Sequence, residues 1–426
     1  MRQMKPLFLL ILLVLAPMVI FAGGKAEAEP AAAAPAEEAI VLDVYHWFGP
    51  EMRDAIEEIN GLFKAETGIE IVYESAPTDQ YRNVIKIKLA SGDAPDVFGV
   101  FPGTEVVEYS DAGHLAALGG QSFMNRVMEG STVVTRGSDG EVYALPIDQN
   151  VVGVVYNREI FQTVGVDVPE TWDDFLDVCQ AIKDAGYYPL ALGNADLWVT
   201  QLIPYAMAPS MIYKANPDFD AQMYAGTRQF NGPEWKAVME DYVELNERGF
   251  FHPGILSTTY DQTIQLVATE QAAMVVNGNW IIAGIREGNP DLDLGMFPFP
   301  SVDAGETAWI SGAVGITLAA SADSDNLDAA MQYLEFWTRP EIISKYLMAK
   351  KAFSTIKGVS VDFDPAAGEI GAYLAKTNTY PFLDQGWPTG VQDVFLKGYQ
   401  SVFAGQMSIE EMLQSVDDEW AARVAD

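Results

Sequence analysis

The sequence predicts an α/β chain of two lobes, each a mainly parallel sheet flanked by helices, with a hinge between them. Three observations carry this. Strand-like and helix-like segments alternate with short joints from Ile40 to Val100, the pattern of a parallel sheet covered by helices. The alternation returns from Val151 onward. The chain has 426 residues, 49% of them hydrophobic, more than one ordinary domain core takes up.

The elements follow in order. Residues 40–45 form a short apolar, β-prone run that predicts a buried strand. Over residues 50–66, Met52, Ile56, Ile59, Leu62 and Phe63 make one stripe on a helix, and Gly68 follows as its C′ glycine. Residues 69–73 predict a second strand, 80–90 a second amphipathic helix and 96–100 a third strand. Later strands are expected at 151–156, 272–276 and 292–297. Thr171 to Asp174 and Ser408 to Glu411 carry capping-box patterns, Pro340 stands at a first helical position, and the chain from Leu327 onward reads as mainly helical.

Composition excludes several functions. Lys+Arg is 25 and Asp+Glu is 60, a formal net charge of -35 spread without a polyacidic tail. Such a surface repels phosphate backbones and argues against nucleic-acid binding. At the amino terminus, Arg2 and Lys5 precede an uncharged run over residues 7–22, followed by small Ala22 and Gly23. This predicts a signal peptide over residues 1–22 and export to a periplasm; residues 23–39, rich in Ala, Glu and Pro, are expected to be a flexible leader. The one cysteine, Cys179, sits within a helical pattern and reads as a buried apolar residue, and no cysteine follows the signal to carry a lipid anchor.

The motifs of common catalysis are missing. His46, His114 and His252 are far apart and fit no zinc spacing, and there is no Walker loop, dinucleotide fingerprint or nucleophile elbow. Ser354 to Lys357 matches S-x-x-K without its partner motifs, and Asp323-Ser324-Asp325 opens like a calcium loop but lacks the glycine and the closing glutamate. No catalytic residue, metal or cofactor is therefore expected.

What remains is a set of aromatic and polar residues at predicted strand ends, where ligands bind in open α/β sheets. His46 and Trp47 follow the first strand, and Phe101, Gly103 and Thr104 follow the third. Asp148 and Gln149 stand at a lobe crossing, Trp198 before a helix, Asn279 and Trp280 after the strand ending at Val276, Trp309 and Gly312 beside another strand, and Trp387 in a late loop. Indole faces match the C–H faces of a pyranose, and amides and carboxylates match its hydroxyls. Trp172, Trp235, Trp337 and Trp420 lie in helical patterns and are assigned to packing.

With these residues in view, the chain resembles the family 1 extracellular solute-binding proteins. The marks are Lys88 to Val97, Leu145-Pro146 leading to Val155-Tyr156-Asn157, Ala273-Met274 through Asn277-Gly278-Asn279-Trp280, and the segment from Leu327 to Pro340 with Glu335-Phe336. The resemblance implies a two-lobed periplasmic-binding-protein fold with crossovers near 146–149, 311 and 356–358. It divides the chain into 40–147 plus 312–357 and 148–311 plus 358–426. It implies a hinged cleft that takes up a mono- or oligosaccharide, and a monomer that delivers it to the transmembrane subunits of an ABC importer. All thirteen residues above carry over as ligand contacts, although Gly103 stands where sugar binders of the family often have a charge. Two other readings stay open: a polyamine or other small-cation binder on the same fold, and a secreted glycoside hydrolase with paired carboxyls.

Overall fold

The computed structural model describes residues 40–362, 364–374 and 376–425, so the expected signal peptide and leader lie outside the described residues. Twelve strands fall in two sheets. They are β1 Val41–His46, β2 Glu70–Ser75, β3 Val97–Phe98, β4 Leu145–Pro146, β5 Asp148–Asn157, β6 Tyr188–Ala191, β7 Ala272–Gly278, β8 Leu294–Phe297, β9 Ile310–Val314, β10 Thr317–Ala320, β11 Phe353–Ser354 and β12 Thr379–Tyr380. The five-stranded sheet has the order β2-β1-β3-β10-β4; the seven-stranded sheet has β12-β9-β5-β7-β6, with β8 and β11 also paired to β5.

In each sheet one strand opposes all the others. In the first it is β10, antiparallel to β3 and β4, while β1 is parallel to β2 and β3. In the second it is β5, antiparallel to β7, β8, β9 and β11, while β6 and β12 run parallel to their neighbours. The reversed strands are the two that the chain enters directly from the other sheet. Both lobes are thus mainly parallel by strand direction.

Alternation along the strands sends neighbouring side chains to opposite cores. Val44 and Val97 enter one cluster, while Tyr45 and Phe98 enter another with Tyr81, Ile85 and Leu89 of the helix Thr78–Ser91. Val152 and Val154 face the large core that holds Trp235, Phe395 and Trp387, while Val151 and Val155 face a third cluster with Ile281, Ile285 and Ile370. With helices on both faces, β5 reads as an unbroken apolar run where one open face would give an alternating strand.

The expected punctuation holds. The helix Arg53–Thr67 buries Ile56, Ile59 and Phe63 and ends at left-handed Gly68 (φ 76°). Both halves of each capping box form: Asp174 N–H donates to Thr171 Oγ1 and Thr171 N–H to Asp174 Oδ2, and Ser408 and Glu411 do the same. Pro340 opens the helix Pro340–Lys350.

The later crossings lie further along the chain than expected. β9 stays in the seven-stranded sheet through Val314, so the chain leaves it at Gly315 and not at Ser311. After β11, Ile356 bridges Val127, and Val359 and Val361 pack on the first lobe's core. Arg286 then grips Asp364 before the helix Pro365–Leu374 joins the second lobe. Among the described residues no helix is long and apolar enough to cross a membrane.

Candidate functional site

At the crossings, side chains from several segments tie the strands into one polar knot. Asp148 is fully buried. Its Oδ1 accepts from the Ile316 backbone N–H (2.9 Å) and from Asn150 Nδ2 (2.8 Å), and its Oδ2 accepts from the Tyr346 hydroxyl (2.7 Å). Asn279 Oδ1 accepts from Val151 N–H (2.8 Å), while its Nδ2 donates to Asn150 Oδ1 (3.1 Å) and to the Lys351 carbonyl (2.8 Å). Gly315 makes room for this knot, since a Cβ there would stand 2.2 Å from Asn150 Nδ2. Burial pushes the Asp148 carboxyl up, and the Tyr346 hydroxyl, Lys350, Ile316 N–H and Asn150 pull it back. Asp148 and Asn279, expected as ligand contacts, are therefore hinge residues whose side-chain hydrogen bonds are already committed to protein. Gln149 is half-buried beside them and donates to Ser131 Oγ (3.0 Å).

The first lobe presents a column of stacked groups. His46 stacks on Phe48 (3.8 Å) and on Trp47 (4.1 Å), Trp47 stacks on Phe101 (4.0 Å), and the Arg82 guanidinium lies 3.9 Å over Phe101. His46 is a corrected expectation. It is 0% exposed, its Nδ1 accepts from Trp47 N–H (2.8 Å), and its Nε2 faces the Thr317 carbonyl at 3.2 Å. The tautomer that follows carries its proton on Nε2. Burial lowers its pKa to about 3, so the ring is neutral and acts as the column's support. Trp47 and Phe101 are half-buried, but Trp47 already stacks on two rings and offers a ligand chiefly its edge.

Gly103 and Thr104 open the helix Thr104–Asp111. Gly103 has φ 95°, and a Cβ there would lie 2.1 Å from the Gln385 backbone oxygen of the second lobe. Only glycine allows that approach, so a charged residue here would hold the lobes apart.

The second lobe contributes half-buried Trp280, set edge-to-face against Phe382 (6.2 Å), and half-buried Trp198, tilted over Tyr260 (5.0 Å). Trp387 is corrected to core. It is 1% exposed and packs among Phe230, Trp235 and Phe395 at 5.1–5.9 Å. In the turn Leu383–Gly386 the chain reverses and sends Trp387 inward, while Phe382, at its other end, meets Trp280. Trp309 and Gly312 are also displaced from the group. Trp309 lies at the end of β9 away from the crossing and lines a separate hollow of about 600 Å³ with Lys214, Glu306 and Lys376, and Gly312 packs on Val151 inside the sheet.

Several contacts join the two lobes. Besides Gly103 on Gln385, Arg82 Nη1 donates to Gln392 Oε1 (2.5 Å), the Leu197 backbone donates to Asp79, and the turn Pro50–Met52 touches the helix Ile281–Gly288. The lobes are therefore in contact. Three carboxylates stand near Tyr260: Glu51, Asp196 and Asp261. Two of them are engaged, Asp196 with Tyr260 N–H (2.6 Å) and Glu51 with Lys350 (3.6 Å).

The sequence reading missed Phe382, Tyr260 and Arg82. Phe382 lies five residues before Trp387, whose glycine, proline and polar neighbours mark it as the loop's ring in the sequence. Arg82 lies in an amphipathic helix that also carries Lys86 and Lys88, so its charge gives no signal that singles it out.

The motif residues set aside are confirmed in bland roles. Ser354 Oγ bonds the Ile356 backbone while Lys357 Nζ donates to the Asn125 carbonyl, so the pair is not coupled. Ser324 Oγ donates to Asp96 Oδ1 (2.5 Å) and accepts from Asn326 N–H (3.0 Å) at the start of a helix.

Burial sets a pH dependence for the whole fold. It pushes the Asp220 and Asp241 carboxyls up to about 6 and raises those of Asp148, Asp384 and Glu105. A carboxyl with a raised folded-state pKa binds its proton more tightly when folded, so its charging costs stability as pH climbs from about 4 to about 6. Relief of the self-repulsion of a chain of net charge -35 acts in the same direction. His46 acts the other way, since its buried ring refuses the proton that the unfolded chain takes up below about 6.5, but it is one group against five carboxyls. The melting temperature is expected to be higher at pH 5 than at pH 7 in a calorimetric series; a lower value at pH 5 would contradict this assignment.

Comparison with known proteins follows from this geometry. The model of the bacterial extracellular solute-binding protein family matches residues 49–342. The multiple sugar-binding protein of Streptococcus mutans is 27% identical over 310 residues, covering 71% of this chain and 73% of its own length. The melibiose/raffinose/stachyose-binding protein MelE of Bacillus subtilis is 24% identical over 374 residues, 86% of each chain. The solved structure of RafE in complex with raffinose superposes with TM-score 0.79 at 25% identity, covering 91% of this chain and 100% of that one. The apo form of RafE from Streptococcus pneumoniae gives 0.68 at 24% identity, covering 92% and 98%.

Proposed function

We propose, for a chain that belongs to the bacterial extracellular solute-binding protein family, that it captures a sugar between its lobes outside the cytoplasmic membrane and passes it to the transmembrane subunits of an ABC importer. The observation that carries the reading is the set of half-buried rings facing the inter-lobe contacts, Trp280, Phe382 and Trp198 on one side and Trp47 and Phe101 on the other. Aromatic faces and edges beside carboxylates and amides suit a ring with apolar faces and a belt of hydroxyls. The relatives named for melibiose, raffinose, stachyose and multiple sugars support the same class.

In this reading the chain is a monomer that returns its ligand unchanged. Residues 1–22 direct its export. The first lobe is 40–147 plus 315–362 and the second 148–314 plus 364–425, with β11 reaching over to pair with β5 of the second sheet. The open form admits the sugar, and contacts from both lobes favour closure in proportion to the sugar's differential affinity for the closed form.

A thermal-shift panel of mono- and oligosaccharides tests the function. At least one sugar is expected to raise the melting temperature through mass action and to be recovered intact by chromatography. Cleavage of the sugar would instead indicate a hydrolase. The carboxylates near Tyr260 favour one second reading, a cationic ligand such as a polyamine. Because Asp196 and Glu51 are already engaged, the sugar reading is preferred. Stabilisation by spermidine and by no sugar would reverse that preference.

A further inference from the structure

Arg82 differs from Arg158, Arg286 and Arg339 in reaching across the lobes. Arg158, Arg286 and Arg339 pair with carboxylates of their own lobes, Glu369 and Asp293, Asp364, and Glu66 respectively. Arg82 projects from the helix Thr78–Ser91 of the first lobe and donates to Gln392 at the start of the helix Val391–Phe403 in the second. Gln392 is itself held by its Nε2 donating to Gln201 Oε1 (2.8 Å). The guanidinium also lies over Phe101, with Glu105 at 3.9 Å from its Nε, and the charges of Asp384 and Asp393 reach it from the second lobe. Glu105 and Asp384 both feel the charge of Arg82, and removing it would leave Lys86 as the cation acting on Glu105.

We propose that Arg82 is the positioning residue of lobe closure: it caps the aromatic column of the first lobe, and the second lobe clasps it through Gln392, Asp384 and Asp393 only when the lobes meet. It does not stack on the sugar. It fixes Phe101, and through Phe101 the Trp47 ring, and it neutralises the acidic groups that closure brings together. Its effect falls on the lifetime of the closed complex, because the clasp forms after the sugar has entered, and the encounter rate is set by the open form. This proposal rests on the reading that the ligand binds between the lobes.

The experiment is stopped-flow and calorimetric binding of melibiose, raffinose and stachyose to the full chain and to Arg82→Met, Arg82→Lys, Gln392→Ala and Arg82→Met/Gln392→Ala. For the sugar that binds the parent protein, Arg82→Met is expected to raise the dissociation rate about 10-fold or more, with the association rate within about 2-fold, as loss of a charge-assisted bond and a stacked cation implies. Arg82→Lys, which keeps the charge and loses the fork, should restore part of the lifetime. The double variant should dissociate about as fast as the faster-dissociating single variant and no faster, because both changes remove one clasp. A merely structural role predicts instead a lowered melting temperature of the sugar-free protein with unchanged dissociation, and that result, or additive effects in the double variant, overturns the clasp. Where none of the three binds, the sugar identified in the thermal-shift panel takes their place; failure of the parent protein to bind any sugar of that panel overturns the functional reading beneath it, and is distinguished by appearing before any substitution is made.

Discussion

Replacing Trp280 with alanine is expected to weaken sugar binding by about 30- to 100-fold while lowering the unfolding free energy by no more than about 2 kcal/mol. The indole is half-buried, packed against one core on one side and against Phe382 edge-to-face on another. It lies over Gly278, where the missing side chain gives it a seat: a Cβ there would stand 1.9 Å from the Trp280 ring. Truncation therefore removes a preorganised surface facing the first lobe and leaves the sheet beneath it intact. Isothermal titration beside urea unfolding separates the two effects. Unchanged affinity would remove Trp280 from the site; a loss of stability larger than the loss of binding would reassign it to the core.

The second large effect falls on the hinge. Asp148→Ala should destabilise the protein by about 3–5 kcal/mol, because the Ile316 N–H, the Tyr346 hydroxyl and Asn150 Nδ2 all lose their acceptor in a site without access to water. Asp148→Asn keeps a carbonyl but turns an NH2 toward a donor, and about half that loss is expected. Urea unfolding at pH 7 measures both. A loss below about 1 kcal/mol for the alanine variant would show that the knot is not what joins the crossings, and the residue would return to the candidate ligand contacts.

Much of the architecture was legible because it depends on local rules. Helix stripes, the C′ glycine at Gly68 and both capping boxes specify short segments by chemistry that neighbouring residues carry. The later crossings were placed too early because β9 ends by contact with β5 and not by any signal in Ser311-Gly312-Ala313. The site was legible as a group of loops and less so residue by residue. The strands were found with ends a few residues off, as where β5 begins at Asp148 and β7 runs on to Gly278, and which side chain of a loop turns outward depends on partners far away in sequence. His46 is drawn into the core by Phe48 and the Thr317 carbonyl, and Trp387 by Phe230, Trp235 and Phe395. Asp148 and Asn279 look like ligand groups in one dimension. They become hinge groups once Ile316, Tyr346 and Lys351 arrive from 72 to 198 residues away.

The claim on which the rest stands is that two lobes close around a sugar. Small-angle X-ray scattering across a titration with a sugar identified by thermal shift addresses it directly. The radius of gyration should fall saturably, at one sugar per chain and at the same midpoint as the heat of binding. A sugar that binds with measurable heat and leaves the radius unchanged would contradict the account.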